Sequence, residues 1–239
     1  MTAAFRLGIL AGLRSEQETL VTASRDSSLV VALSGARPEL AKAGADHLVA
    51  AGCTHLISYG LAGGLADYLA AGDLLLPSEI VTPDGSRLSV DPAWHRAALD
   101  LLGELRPATG ALVASDVAIA SVAAKHALAQ RAGAVAVDME SHEIADAAAR
   151  AGLPWLVVRA VADEADQVLP PAALVGVTPA GATDLLAVLG SLARNPGQLG
   201  ALIRLGRAAG AAHRTLKRCD LLGGSLGFGL LQLGSANPL

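Results

Sequence analysis

The stretch Ala136-Val137-Asp138-Met139-Glu140-Ser141 ends a short apolar run in acidic groups, and Arg159-Ala160-Val161-Ala162-Asp163-Glu164 repeats the pattern. Each apolar run reads as a buried strand. A carboxylate has no packing use there, and burying one without a partner is costly. Acids delivered to one edge of a parallel sheet therefore indicate a site. Around these two stretches, apolar runs alternate with Ala-rich helical ones. Residues 6–11, 29–33, 55–59, 74–81, 111–114, 134–137 and 155–161 read as strands. Residues 15–23, 38–51, 92–105, 121–132, 141–151 and 180–193 read as helices, with Gly52 and Gly152 as C-terminal stops. The alternation predicts an α/β layered fold with a mostly parallel sheet. Ligands of such folds gather beyond the carboxyl ends of the strands, where both acidic stretches fall.

Composition narrows the function classes. The 239 residues suffice for a large core. Apolar residues make up 52% and charged ones 17%, yet no apolar run approaches the eighteen or so needed to cross a bilayer. Residues 1–9 carry one Arg and lead straight into a strand, which does not read as a signal peptide. Cys53 and Cys219 have no CxxC spacing, so neither structural zinc nor a disulfide framework is expected, and a reducing cytoplasm fits. The net charge of −4 is uneven. Arg194, Arg204, Arg207, Arg214, Lys217 and Arg218 form a basic segment without an acid, leaving 12 basic against 22 acidic residues elsewhere, or about −10. Nucleic-acid binding is not expected from one basic segment in a chain with 3% aromatics.

The short motifs discriminate unequally. Gly60-Leu-Ala-Gly63-Gly64 admits two readings: a turn whose N–H groups approach an anion or a sugar, or tight strand–helix packing. Gly8-Ile-Leu-Ala-Gly12 lacks the GxGxxG spacing of a dinucleotide loop. His142-Glu143 starts no HExxH, since Asp146 stands where the second His belongs. A single acid at a strand end is commonly an N-cap. Two of them, with Met139 between, a Gly-rich segment and an early Glu16, favour a site.

Together these residues resemble the nucleoside phosphorylase and nucleosidase superfamily, in its methylthioadenosine/adenosylhomocysteine nucleosidase branch. The resemblance spans residues 6–193. It is carried by Gly8-Ile-Leu-Ala-Gly-Leu-Arg-Ser-Glu16, Gly60-Leu-Ala-Gly-Gly-Leu65, Gly72-Asp73, Val137-Asp-Met-Glu140 and Val158-Arg-Ala-Val-Ala-Asp163. Within the superfamily the whole chain looks closest to the hopanoid-associated phosphorylases, which act on adenosylhopane. The resemblance implies a three-layer αβα sandwich with a mixed, mostly parallel central sheet, no cofactor, and a homodimer. It makes 1–193 the catalytic domain and 194–239 a basic C-terminal extension.

Cleavage of an N-glycosidic bond passes through an oxocarbenium-like sugar while charge builds on the departing base. The resemblance assigns Asp163 as the acid that protonates the purine. An ordinary aspartate, near 3.9, is ionised at neutral pH, so its surroundings must raise it. Glu140 grips the ribose and stabilises its cation, Met139 packs on the sugar, Glu16 activates the attacking water, and Ile119 contacts adenine. Gly63, Leu61 and Arg14 complete the substrate-binding set. Phosphorylases of the superfamily hold phosphate with arginines and a serine; here the matching positions are Glu16, Ser58 and Leu61. Glu16 would repel an anion, which favours water, with phosphate delivered by Arg14 as the alternative co-substrate. Ala118 replaces the aromatic that stacks on adenine.

In 192–216, Leu199, Leu202, Ile203, Leu205, Ala209, Ala212 and Leu216 recur at helical spacing with basic residues between them. Such a helix either covers the domain or a partner subunit, or lies on an anionic membrane surface. Residues 163–183, with Pro170-Pro171, read as a lid, and 221–239 as a loosely ordered end. The expected function is release of adenine from an apolar nucleoside, foremost adenosylhopane. The alternatives are a methylthioadenosine/adenosylhomocysteine nucleosidase and a non-catalytic nucleoside-binding relative.

Overall fold

In the computed structural model, the described residues are 5–22, 28–35, 37–174, 185–224 and 227–229. A nine-stranded sheet organises them. Leu7–Ala11 (β1) lies parallel between Leu29–Leu33 (β2) and the first half of His55–Gly64 (β3). Beyond β3 the path continues through Ala136–Asp138 (β8), Ala111–Ala114 (β7), Glu79–Val81 (β5) and Arg87–Ser89 (β6). Trp155–Asp163 (β9) also runs parallel to β3, and Leu74–Leu75 (β4) pairs antiparallel with β9. The expected mixed, mostly parallel sheet flanked by helices is what forms. Every residue of β9 is buried, as a strand covered on both faces must be.

Pro38–Ala50 (α2) and Ser141–Ala151 (α5) pack together over the sheet. Pro92–Leu101 (α3), Val122–Ala132 (α4), the single turn Pro171–Leu174 (α6), Leu185–Arg194 (α7) and Leu199–Gly223 (α8) are further helices. Their boundaries have local causes. Asp91 accepts the Trp94 N–H at 2.8 Å to start α3, and Ser121 accepts the Ala124 N–H at 3.2 Å to start α4. Gly133 and Gly152, both left-handed, stop α4 and α5.

Three readings are corrected and one strand, β6, is added. Residues 74–81 form two strands, because Pro77 has no N–H for a ladder and divides β4 from β5. The hairpin strand β6 follows a Pro83-Asp84-Gly85 turn. The helix expected over 15–23 is one turn, Arg14–Gln17 (α1). There the Thr19 hydroxyl donates to the Glu16 carbonyl at 2.6 Å, competing with helix continuation. Gly60–Gly64 is no turn: β3 runs through it.

The C-terminal helix is anchored by its second half. Ala212, Leu216 and Cys219 join the main apolar core. The Tyr59 hydroxyl donates to the Leu216 carbonyl at 3.0 Å, and Thr215 donates to the Gly72 carbonyl at 2.6 Å. Asp220 accepts the Thr22 N–H at 2.6 Å. Buried Phe228 follows, its carbonyl accepting the Trp94 indole N–H at 3.2 Å. From Leu199 to Ala211, by contrast, no residue is fully buried. The expected lid and loose end fall partly on 175–184 and 230–239, outside the described residues.

Candidate active site

Three segments deliver carboxyls to one cleft. The single turn α1 carries Glu16 inward. Its Oε2 accepts the Leu13 N–H and its Oε1 the Leu61 N–H, both at 2.8 Å. The strand end of β8 carries Asp138 and, two residues on, Glu140. The strand end of β9 carries Asp163. All four are buried. Glu16, Asp138, Glu140 and Asp163 line the same cleft of about 660 Å³, a volume that counts the space open to solvent. Leu61, Gly63, Ile119 and Met139 line it as well, together with Leu13, Val117, Ala118 and Leu169. Arg14 is not brought in: it is exposed on α1 and does not line the cleft.

The glycines of β3 serve close approach. A Cβ on Gly60 would stand 2.6 Å from the Glu16 carboxyl, and one on Gly64 would stand 3.1 Å from the Asp163 carbonyl. On β1's exit, a Cβ on Gly12 would meet Glu140 Oε1 at 2.9 Å and Glu16 Oε2 at 3.2 Å, so the two carboxyls flank that glycine. Of the two readings open for Gly60–Gly64, the packing one describes the geometry better. The Leu61 N–H is already given to Glu16.

The charge balance rests on Arg159, which the sequence reading passed over. Fully buried in β9, it reaches Asp138 at 2.6 Å and Glu140 at 3.2 Å. It also donates to Ser58 Oγ at 2.7 Å, Ser141 Oγ at 3.2 Å and the Leu61 carbonyl at 3.1 Å. Asp138 in turn accepts the Ser141 hydroxyl and the Ser141 N–H that opens α5, so this acid does serve as a helix start. One cation stands among three buried carboxyls. Burial raises Glu140 to about 7; the Arg159 charge opposes this, while Asp138 and Glu16 add to it. Burial also raises Glu16, against the pull of Arg159 and the N–H groups it accepts.

Asp163 has its own partner, also missed. Lys125 of α4 is fully buried and forms an ion pair with Asp163 Oδ2. Burial raises the Asp163 carboxyl and Lys125 pulls it down, with a net rise. Both missed cations left a trace in sequence. Arg159 interrupts a run of Val and Ala that otherwise reads as core. Lys125 shares the i, i+3, i+7 stripe of Leu128 and Ala132, the buried face of α4.

Residues 16–194, about three quarters of the chain, match the sequence profile of a family described as the phosphorylase superfamily. The chain belongs to the phosphorylase superfamily. No curated protein is similar to it in sequence. Among solved structures, it resembles the 5′-methylthioadenosine/S-adenosylhomocysteine nucleosidase of Helicobacter pylori, with 18% identity over 90% of this chain and 97% of that one, at a TM-score of 0.65. The nucleosidase of the same name from Neisseria meningitidis gives 19% identity, 90% and 97% coverage and a TM-score of 0.66. The futalosine hydrolase of Helicobacter pylori gives 17%, 91% and 97%, with a TM-score of 0.65. At these identities the likeness is one of fold, and it corroborates the sheet and helix arrangement described above.

Proposed function

We propose that this superfamily member hydrolyses the N-glycosidic bond of an adenine nucleoside carrying an apolar 5′ group, with adenosylhopane the leading substrate. One observation carries the reading: four carboxyls and an apolar wall share one cleft, and no Lys or Arg side chain lines it among the described residues. Asp163 protonates the departing base, which lies against Val117, Ala118 and Ile119. As the bond from the anomeric carbon to the base nitrogen breaks, Glu140 faces the cationic ribose and Met139 packs on it. Glu16, its carboxyl oriented by two backbone N–H groups, takes the proton of the water that attacks the anomeric carbon. A phosphate dianion would meet carboxyls there. Ser58, at a phosphate-binding position of the family, is buried against Arg159 and Ser141 and does not line the cleft. Water is therefore the favoured nucleophile.

Leu13 and Leu61, whose N–H groups hold Glu16, also line the cleft and give that side an apolar character suited to a greasy 5′ substituent. Such a substrate resides in lipid, and α8 suits that setting. Leu199 and Ile203 are 49% and 46% exposed, with Arg204 and Arg207 exposed beside them. No helix among the described residues is long and apolar enough to span a bilayer. The test is adenine release, with and without phosphate, from adenosylhopane in anionic and in neutral vesicles, alongside methylthioadenosine in solution. The expected result is phosphate-independent release that is fastest from anionic vesicles. Efficient turnover of methylthioadenosine alone would transfer the chain to the small-nucleoside enzymes, and strict phosphate dependence would make it a phosphorylase.

A further inference from the structure

We propose that Lys125 is the positioning residue of this site: its buried ammonium fixes the Asp163 carboxyl and ties the following 164–167 segment beside it. The proposal rests on Asp163 being the acid. Lysine is almost never fully buried unless paired, because its charge loses its hydration. At this place on α4 a Leu or Met would fill the space without that cost. What the ammonium gains is a complete set of acceptors. Its three N–H groups go to Asp163 Oδ2, to the Glu164 carbonyl at 2.5 Å and to the Gln167 carbonyl at 3.0 Å. Two residues further, the Leu169 N–H donates to the Ala120 carbonyl at 2.9 Å, fastening the same segment to the 115–120 loop that walls the cleft.

The other charged groups nearby are engaged elsewhere. Glu164 turns its carboxyl to the Ala71 N–H at 3.0 Å. Asp166 is exposed. His126, next to Lys125 on α4, faces Asp67 at 3.8 Å. β3 presents uncharged Gly63 to Asp163. Across the cleft, Arg159 is held by Asp138 and Glu140. Lys125 is thus the cation that acts on Asp163, and it holds Oδ2, leaving Oδ1 for the base. Burial pushes the Asp163 carboxyl up, toward holding a proton, while Lys125 pulls it down. The ammonium steadies the carboxylate that remains once the proton has moved to the base. Removing the charge leaves a weaker acid that stays protonated to higher pH.

The experiment compares pH profiles of kcat for Lys125→Gln, Lys125→Arg and Asp163→Asn, with thermal melts of each. In Lys125→Gln, which keeps an amide donor but no charge, the alkaline limb is expected to move up by about one pH unit or more. Its kcat is expected to fall about 10- to 100-fold while KM stays within about threefold. Lys125→Arg keeps the cation on a different geometry; the limb should stay and kcat should fall about tenfold. A folded Lys125→Gln with an unmoved limb and native kcat overturns the proposal. So does native kcat in Lys125→Arg, which decides the matter if the Gln variant does not fold. Full activity in Asp163→Asn is a different outcome and removes the assignment of the acid instead.

Discussion

Asp163→Asn is expected to lower kcat for adenine release by about 10³-fold, within the range that general acids supply, while KM changes little. The amide is close to the carboxyl in size, so the Lys125 ammonium keeps an oxygen to donate to and the backbone pairing of β9 with β3 is untouched. What disappears is the transferable proton. The loss should be greatest for nucleosides whose base leaves poorly without protonation and smallest for those with an activated leaving group. Measuring kcat on one substrate of each kind separates loss of acid catalysis from loss of folding, because a folding defect would reduce both equally.

Glu140→Gln is expected to produce two effects of opposite sign. Activity should fall about 10²- to 10³-fold, since a neutral amide stabilises a ribosyl cation far less than a carboxylate does. Stability should rise above neutral pH. The folded-state value of Glu140 lies at about 7, above its ordinary one. A raised carboxyl binds more protons folded than unfolded, so the stability it supports is complete at low pH and is lost as pH rises through about 7. The permanently neutral Gln escapes that loss. The gain at pH 8 should be roughly 3 kcal/mol, taking ~1.36 kcal/mol per unit of pKa, and should shrink below about 1 kcal/mol at pH 5. Urea unfolding of both proteins at both pH values checks this. An equal gain at pH 5 and pH 8 would show that Glu140 is not a raised carboxyl.

Much of this arrangement is legible in the residues because the signals are local. The apolar runs that became β1, β2, β3, β7 and β9 have no other use than a sheet covered on both faces, and Asp163 and Glu140 stand out as charges at the edges of such runs. The convergence of Glu16 with them is a matter of topology, and only the resemblance to a known family anticipated it. Where the reading failed, a side chain's direction decided. On the single turn α1, Arg14 and Glu16 are two residues apart and so point to different sides. Glu16 enters the cleft and Arg14 faces solvent. Gly60 admitted a turn because glycine permits turns, yet it is needed for the carboxyl packed against it. Arg159 and Lys125 escaped notice because a single cation in an apolar element resembles a surface charge until its acceptors are seen in three dimensions.

The central claim is that one adenine nucleoside occupies this cleft with its base at Asp163 and its ribose at Glu140. The most direct measurement is a crystal structure with a non-hydrolysable adenine nucleoside whose base is joined through carbon. The account predicts the base against Ile119 within hydrogen-bond distance of Asp163, the sugar on Met139 with its hydroxyls on Glu140, and a water held by Glu16. A nucleoside bound outside this cleft, or lying in it with the base at Glu140 and the sugar remote from all three carboxyls, would contradict it.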